Sequence, residues 1–227
     1  MALIGPSGAG KTTLLRLLGC SLWPDRGQAR SLGQDPSALR GRALRRHRRQ
    51  IGFLRQQDNL IPPLRVAHNV LMGRLGSWSA LRAAWNFVSP GELETARAAL
   101  SRVELEDRLW ALPDELSGGE QQRVAIARLI VQQPRVLLAD EPVSALDVRL
   151  GREVVDLLLG LARERAAALL VSLHSLELLD RGFDRVAALC GGELRWQGAP
   201  GELDQATLRD IYGADFESLG LSGTRQR

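Results

Sequence analysis

The chain has 227 residues, of which 44% are hydrophobic and 25% charged, values that are ordinary for a single globular domain. No apolar run approaches the roughly 20 residues of a membrane-spanning helix, and the first residues lack the pattern of a signal peptide. Cys20 and Cys190 are isolated and lack metal-ligand spacing, so we expect free thiols in the cytosol. The net charge of +4 permits contact with anionic lipid or nucleic acid but identifies neither.

The first motif follows a short apolar run at residues 2–4 that predicts a buried strand. It fits GxxxxGK[ST] at every fixed position and consists of Gly5, Pro6, Ser7, Gly8, Ala9, Gly10, Lys11 and Thr12. A strong helix-forming segment begins at Thr13, so strand, loop and helix occur in the order of a phosphate-binding loop. Backbone N–H groups and the helix dipole would hold phosphates, Lys11 would reach the β- and γ-phosphates, and Thr12 would supply a hydroxyl to Mg²⁺. We therefore predict an ATP phosphate site from Gly5 through Thr13, and Lys11 is the only lysine of the chain.

The second motif is an apolar run from Val136 that ends in two carboxylates, Asp140 and Glu141. In open α/β sheets, ligands bind at the carboxyl ends of the parallel strands. Asp140 would then hold Mg²⁺ through water, and Glu141 would orient and deprotonate the attacking water. Such a run alone is often only a core strand that enters an acidic turn. The phosphate-binding loop in the same chain favours the catalytic interpretation.

The third motif, Leu116–Arg123, reads LSGGEQQR and runs directly into a helical pattern. Its simplest interpretation is a helix start with Ser117 as N-cap. The functional interpretation is a second phosphate site made by Ser117, the amides of Gly118 and Gly119, and the helix N-terminus. Two phosphate sites exceed the needs of one nucleotide. A head-to-tail homodimer resolves this, because each ATP would lie between the phosphate-binding loop of one subunit and the LSGGE segment of the other.

Together these motifs resemble those of ABC ATPases, whose signature sequence is similar to LSGGEQQR and lies between the other two motifs. The resemblance implies that Gln56 is the Q-loop glutamine, which contacts Mg²⁺ and the attacking water. It also implies that Asp147 belongs to the D-loop, which lies across the dimer seam. His174 then corresponds to the switch histidine, which contacts the γ-phosphate. Six motifs in the family's order extend the resemblance over residues 2 to about 213.

The fold that these patterns and the resemblance imply is α/β, with a RecA-like P-loop NTPase core and an inserted helical subdomain, as in ABC-ATPase nucleotide-binding domains. We expect core strands near residues 2–4, 51–56, 135–140, 168–173 and 184–190, and we expect a helix over 92–100. One domain would span 1–218, with a core of 1–57 and 134–218 and a helical subdomain of 58–133. Residues 219–227 would form a flexible tail.

Two features depart from the family pattern. Members normally carry two or three strands before the P-loop strand, including an aromatic residue that stacks on adenine, whereas this chain starts one strand-length before Gly5. We therefore expect that the start codon was misassigned and that the opening strands are missing. Arg55 precedes Gln56 at a position where an aromatic residue is common. It would pair with an acidic group of the permease or be exposed.

The transported substrate is indicated by segments outside the catalytic motifs. Residues 58–76, the stretch with Trp78 and Trp85, and the ending 208–213 resemble phosphonate-import ATP-binding subunits. The resemblance implies an ATP hydrolase that energises import of phosphonate or a related phosphorus oxyanion from the cytoplasmic face of the inner membrane. Its partners would be permease subunits and, indirectly, an extracytoplasmic binding protein. Another importer is the alternative, and packing is the simpler interpretation of the two tryptophans.

A rival class is a non-transport ABC ATPase that acts on DNA or ribosomes. DNA-repair members carry long coiled-coil insertions and ribosome-associated members carry two cassettes, so neither fits 227 residues with one motif set. An inactive truncated fragment is a third class, although every catalytic position is present. The arginine-rich stretch 40–49 predicts a solvated helix face, ahead of a lipid-headgroup contact, and nucleic-acid binding is not expected.

Overall fold

The computed structural model describes residues 1–56, 59–88, 91–213 and 215–216. Within them a six-stranded sheet has the order β2-β3-β4-β1-β5-β6. Neighbouring strands from β2 to β5 pair in parallel, and β6 pairs antiparallel to β5. The strands are β1 (Ala2–Ile4), β2 (Ile51–Leu54), β3 (Val136–Asp140), β4 (Ala168–Ser172), β5 (Val186–Cys190) and β6 (Glu193–Gly198).

Helices connect these strands and cover both faces of the sheet. The α-helices are α1 (Lys11–Leu18), α2 (Gly41–Arg49), α3 (Val66–Leu71), α4 (Ala80–Val88), α5 (Leu93–Ser101), α6 (Gly118–Gln132), α7 (Val148–Glu164) and α8 (Gln205–Tyr212). Short 3₁₀ segments are Pro36–Ala38, Met72–Arg74, Glu106–Arg108, Pro113–Glu115, Leu176–Arg181 and Pro200–Glu202. The chain between β2 and β3 is therefore mainly helical, as the sequence predicts.

The apolar core is divided by the sheet into two layers. Leu3 of β1 packs in one layer with Leu15 of α1, whereas Ala2 and Ile4 pack in the other layer with α6, α7 and α8. Successive residues of a strand point to opposite faces of the sheet. A strand that is covered on both faces therefore needs an unbroken apolar run, which explains the runs in the sequence.

The five predicted strands are confirmed, with ends that differ by at most two residues from the predicted ones. The predicted helix over 92–100 is confirmed as α5. Strand β6 was not predicted. It follows a two-residue turn in which Gly191 and Gly192 have φ of 58° and 82°, and such turns favour glycine because both central residues need positive φ. This Gly-Gly pair is a local hairpin signal.

Two smaller expectations concern cysteines and tryptophans. Cys20 and Cys190 are free, as predicted. Trp78 is buried, so the packing interpretation holds for it, whereas 67% of Trp85 is exposed.

Helices of the described residues are too short or too polar to cross a bilayer. The predicted boundary between 57 and 58 and the predicted tail 219–227 lie outside the described residues.

We expect alanine at two glycines to change the free energy of unfolding in opposite directions. Gly160 lies inside α7, where an added Cβ would meet no atom within 4 Å. Gly160→Ala should raise the free energy of unfolding by up to about 1 kcal/mol, because glycine is a poor helix former. At Gly52 in β2, a Cβ would lie 2.7 Å from Leu129 Cδ2 and 2.9 Å from Pro134 Cγ, so Gly52→Ala should lower it by about 1–3 kcal/mol. Urea unfolding measures both, and a stabilising Gly52→Ala would contradict the packing of β2 against α6.

Candidate functional site

The phosphate-binding loop starts where β1 ends, and its glycines are required by backbone geometry. Gly5 has a φ of 143°, and a Cβ there would lie 2.0 Å from the carbonyl oxygen of Leu189. Gly8 and Gly10 have φ of 76° and 96°, in the region that side chains disfavour. These turns return the chain into α1. The glycine pattern of the motif therefore has a steric cause at each of the three positions.

Two distant segments hold the loop in place. The Gly5 amide donates a buried hydrogen bond of 3.0 Å to the hydroxyl of Tyr212 at the end of α8. The Gly192 amide, in the β5–β6 turn, donates to the Ala9 carbonyl at 3.2 Å. Burial raises the pKa of the Tyr212 hydroxyl, so it stays protonated at neutral pH. The loop is therefore supported from both sides by parts of the chain that the motif does not include.

Lys11 is the first residue of α1 and is only 4% exposed. Its ammonium donates to the carbonyl oxygens of Gly5 at 2.8 Å and Pro6 at 3.1 Å. Burial lowers the pKa of this ammonium, and the nearby charges of Glu141 and Asp140 oppose that shift. Because carbonyl dipoles do not neutralise the charge, Lys11 is suited to bind an anion in the loop.

The start of α1 is also suited to an anion. Its N-cap is Gly10, which has no side chain to accept hydrogen bonds from the N–H groups of the first turn. Those N–H groups belong to Lys11, Thr12 and Thr13. They point out of the positive end of the helix dipole, where phosphate groups bind. The predicted site from Gly5 to Thr13 therefore fits a nucleotide phosphate.

The hydroxyl of Thr12 meets the carboxylate at the end of β3, so two groups that the sequence analysis assigns to Mg²⁺ lie together. In the parallel register of β3 and β4, Asp140 lies opposite Ser172. One oxygen of Asp140, Oδ1, accepts from Thr12 Oγ1 at 3.1 Å and from Ser172 Oγ at 2.9 Å. Oxygen atoms are the ligands that Mg²⁺ prefers. Groups of three or more His, Cys, Asp or Glu side chains that could hold a metal ion do not occur in the described parts of the chain.

Glu141 has an unusual backbone that directs its carboxylate toward His174. Its φ of 47° is left-handed, which is unfavourable for a non-glycine residue. Its amide donates to Ser172 Oγ at 2.8 Å, and its carbonyl accepts from Ser144 Oγ at 3.2 Å. His174 Nε2 lies 2.5 Å from Glu141 Oε1. The structure therefore brings together the second carboxylate and the histidine, two groups that sequence reasoning assigned to catalysis.

Gln56 lies beyond the end of β2 and is exposed. Its carbonyl accepts from Gln122 Nε2 of α6 at 3.1 Å. Within the described part of the chain, the side chain of Gln56 makes no hydrogen bond to Asp140 or Glu141. Arg55 is exposed, which is one of its two expected states. The structure thus places Gln56 just beyond the carboxyl end of β2.

Ser117 is the N-cap of α6, so the structural interpretation of its motif is confirmed. Its hydroxyl accepts from the Glu120 amide at 3.3 Å, and the Glu120 carboxylate accepts from the Ser117 amide at 2.8 Å. The second of these bonds is the main cause of the lowered pKa of Glu120. Ser117 and Gly118 are exposed, whereas Gly119 is buried. The motif therefore presents a capped helix start to solvent.

Asp147 is the N-cap of α7, where its carboxylate accepts from the Leu150 amide at 3.0 Å. The preceding residue, Leu146, packs beside the third motif, since a Cβ on Gly118 would lie 3.8 Å from Leu146 Cδ2. Asp147 is exposed. The two segments expected at the dimer seam are therefore neighbours on the surface of one chain.

Four residues that contact the site were not predicted: Ser172, Tyr212, Asn59 and Gln122. Ser172 carried a local signal, because it is a polar residue inside an apolar strand that ends beside the site. The contacts of Tyr212 with Gly5, of Gln122 with Gln56 and of Asn59 with Gln122 join residues that are far apart in the sequence. Local patterns do not report such contacts.

A cavity of about 470 Å³ lies along α2 and is lined by Arg45, Arg48 and Arg49 among others. Arg45 donates to the carbonyls of Leu75 and Trp78 at 2.9 Å each. Arg48 donates to the Cys20 carbonyl at 2.7 Å. Because two of these guanidinium groups bind backbone, we assign the cavity no ligand. All three are exposed, which agrees with the predicted solvated helix face and leaves the lipid-headgroup alternative open.

Comparison of the sequence with known proteins identifies a family and close relatives. A family model described as ABC transporter matches residues 1–144. The phosphonates import ATP-binding protein PhnC of Nitratidesulfovibrio vulgaris is 43% identical over 214 residues, which cover 94% of this chain and 81% of the relative. Phosphonates import ATP-binding protein PhnC 1 of Cupriavidus necator is 40% identical over 225 residues, covering 99% and 80%.

Solved structures give the same result for the fold. The dimeric ATP-binding cassette MJ0796, in a post-hydrolysis state bound to ADP and Pi, superimposes with a TM-score of 0.74 at 33% identity, covering 88% of this chain and 84% of that one. The structure of cbiO1 from Clostridium perfringens, part of the ABC transporter complex cbiONQ, has a TM-score of 0.74 at 25% identity, covering 92% and 81%. The predicted fold class is confirmed.

We expect Tyr212→Phe to weaken the phosphate-binding loop. The variant keeps the ring but leaves the buried Gly5 amide without its acceptor, which should lower the free energy of unfolding by about 1–3 kcal/mol. ATP affinity should fall as well, because the first turn of the loop loses its support. Chemical unfolding and calorimetric titration with ATP measure the two effects. A variant as stable as the wild type would show that the Gly5–Tyr212 bond does not support the loop.

Proposed function

Because the chain belongs to the ABC transporter family, we propose that it binds and hydrolyses ATP to energise an importer of phosphonate or a related phosphorus oxyanion. The observation that carries the hydrolytic part is the set of contacts among Thr12, Asp140, Ser172, Glu141 and His174 at the carboxyl ends of three adjacent strands. The assignment of phosphonate rests on the relatives, which are phosphonates import ATP-binding proteins.

The phosphates of ATP would bind to the loop from Gly5 to Thr13. The N–H groups at the start of α1 would donate to phosphate oxygens, and the Lys11 ammonium would exchange its contacts with Gly5 and Pro6 for the β- and γ-phosphates. The energetic cost of burying this ammonium is offset when an anion arrives. The loop therefore supplies binding and orientation.

Mg²⁺ would be held by Thr12 and Asp140, with Gln56 as a further oxygen ligand. The hydrogen bond of 3.1 Å between Thr12 Oγ1 and Asp140 Oδ1 supports this, because it places two oxygen groups that suit Mg²⁺ side by side; Asp140 would hold the ion through water. When bound, Mg²⁺ neutralises charge on the β- and γ-phosphates. The Ser172 hydroxyl, which donates to Asp140, would keep the carboxylate oriented.

Glu141 would act as the general base that takes a proton from the attacking water. A general base must be held within hydrogen-bond reach of that water, and the Ser172 bond to the Glu141 amide fixes the start of its side chain. His174 contacts the carboxylate at 2.5 Å and would also contact the γ-phosphate. The pair would thereby place base and phosphate beside each other.

The active assembly would be a head-to-tail homodimer in which Ser117, Gly118, Gly119 and Asp147 complete the ATP site of the partner. A dimeric cassette that holds ADP and Pi supports this arrangement. Permease subunits would be the membrane partners, with an extracytoplasmic binding protein acting through them. The protein would then lie peripherally on the cytoplasmic face of the inner membrane. We expect no nucleic acid among the partners of this assembly.

We expect Glu141→Gln to abolish turnover while ATP binding persists. The amide preserves the shape of the side chain but cannot accept the proton, and positioned general bases contribute about 10²- to 10⁴-fold to the rate. Phosphate release and ATP titration measure the two properties. Glu177→Gln, which changes an exposed carboxylate on the segment after His174, serves as the control and should keep the wild-type rate. If Glu141→Gln also hydrolysed ATP at that rate, Glu141 would not be the base.

Lys11→Ala should instead remove ATP binding, because it deletes the charge that faces the β- and γ-phosphates. Arg16→Ala is a suitable control, since it removes an exposed cation from the same helix. The control should bind ATP normally in the same calorimetric titration. Unchanged ATP affinity in Lys11→Ala would contradict the assignment of the phosphate site.

The shared site predicts complementation between two inactive variants. Ser117→Arg blocks the signature segment and Lys11→Ala blocks the phosphate-binding loop, so a mixed dimer contains one intact composite site. ATPase activity should therefore appear when the two preparations are mixed. Each variant alone, at the same total protein concentration, is the control. Activity that stays absent, while a crosslink across the seam demonstrates the mixed dimer, would contradict independent shared sites.

A further inference from the structure

A buried glutamine joins the Q-loop to the helix of the signature segment. Gln122 lies in the second turn of α6 and is 7% exposed. Its amide nitrogen donates to the carbonyls of Gln56 at 3.1 Å and Arg55 at 3.4 Å. Its amide oxygen accepts from Asn59 Nδ2 at 3.1 Å. Both ends of the amide therefore bind the loop that carries Gln56.

Asn59 binds the backbone of Arg55 through both ends of its side-chain amide. Its side-chain oxygen accepts from the Arg55 amide at 2.8 Å, and its nitrogen donates to the Arg55 carbonyl at 2.6 Å. Asn59 thus bridges the loop and Gln122 at once. The side-chain amides of Asn59 and Gln122 therefore link the segment that carries Gln56 to α6.

The other end of the connection is Ser117, the N-cap of the same helix. Gln122 lies less than two turns from it, and an α-helix over that length moves as a rigid unit. A displacement of the Gln56 backbone would therefore be transmitted through Gln122 to the exposed helix start. Gln56 belongs to the chain's own ATP site, whereas Ser117 belongs to the partner's.

We propose that Gln122 is a positioning residue that couples the two ATP sites of the dimer. It fixes the backbone of Gln56 to α6, so that the state of one site biases the placement of Ser117 at the other. This inference rests on the proposed function, because it requires that both segments bind ATP. The hydrogen bonds themselves do not depend on it.

The side-chain chemistry at position 122 allows a conservative test. Gln122→Glu keeps the size and the acceptor for Asn59 but removes both donors and directs negative charge at the carbonyls of Arg55 and Gln56. The matched control is Gln132→Glu at the far end of α6. Gln132 also donates to two carbonyls, those of Ile51 at 2.8 Å and Arg49 at 3.2 Å, but it lies away from the Q-loop.

The first measurement is hydrogen exchange of the nucleotide-free protein. In Gln122→Glu the backbone amides of residues 55–56 should exchange faster than in the wild type, whereas in Gln132→Glu they should not. This readout requires neither ATP nor Mg²⁺. It tests whether Gln122 holds the loop.

The second measurement is steady-state ATP hydrolysis. Gln122→Glu should lower kcat by about 5- to 100-fold, which is about the factor that a typical coupling free energy between two sites corresponds to. The Hill coefficient for ATP should move toward 1. KM should change by less than about threefold, because the phosphate-binding loop is untouched. Gln132→Glu should keep kcat and the Hill coefficient.

Three results would overturn the proposal. The first is that Gln122→Glu behaves like Gln132→Glu in both measurements. The second is that Gln122→Glu lowers the free energy of unfolding but changes neither hydrogen exchange nor kinetics. The third is that kcat falls while the Hill coefficient for ATP stays unchanged. If Gln122→Glu does not fold, Asn59→Ala in the surface loop replaces it, with the same expectations and the same contradicting results. A Glu141→Gln variant that hydrolyses ATP normally would instead refute the proposed function, whatever the exchange data show.

Discussion

A single buried hydroxyl connects the strands that carry the reactive groups. Ser172 Oγ donates to the Asp140 carboxylate and accepts from the Glu141 amide. This is possible because the parallel register of β3 and β4 puts Asp140 opposite Ser172. Glu141 has a left-handed backbone, and a strained residue persists only where its surroundings hold it. The Ser172 hydroxyl therefore helps to hold the backbone of Glu141, the residue whose carboxylate contacts His174.

The helix N-caps explain how Ser117 and Asp147 can be ordered in one chain and still keep hydrogen-bonding capacity for the proposed second chain. Ser117 accepts from the Glu120 amide, but its hydroxyl proton remains free to donate to an anion. Asp147 accepts from the Leu150 amide through one oxygen and has further lone pairs for a partner. The structural and functional interpretations of both residues are therefore compatible. A preformed helix start also lowers the entropic cost of binding.

Local rules explain what was predictable from the sequence. The glycines of the phosphate-binding loop follow from φ values that only glycine tolerates easily, and the apolar runs follow from a sheet covered on both faces. The contact of Thr12 with Asp140 was predictable because carboxyl ends of parallel strands share one edge. The contacts of Tyr212 and Gln122 were not predictable, since their partners are distant in sequence, although both residues lie in segments that the sequence analysis singles out. Strand β6 was missed although Gly191 and Gly192 signalled its turn.

The central claim is that one chain contains two incomplete ATP sites that a second chain completes. The most direct test is the mass of Glu141→Gln at saturating ATP and Mg²⁺, measured by native mass spectrometry. Since this variant should bind ATP without consuming it, the account predicts a dimer that carries two ATP molecules, and a monomer when ATP is removed. A monomer that carries one tightly bound ATP at every protein concentration would contradict the account.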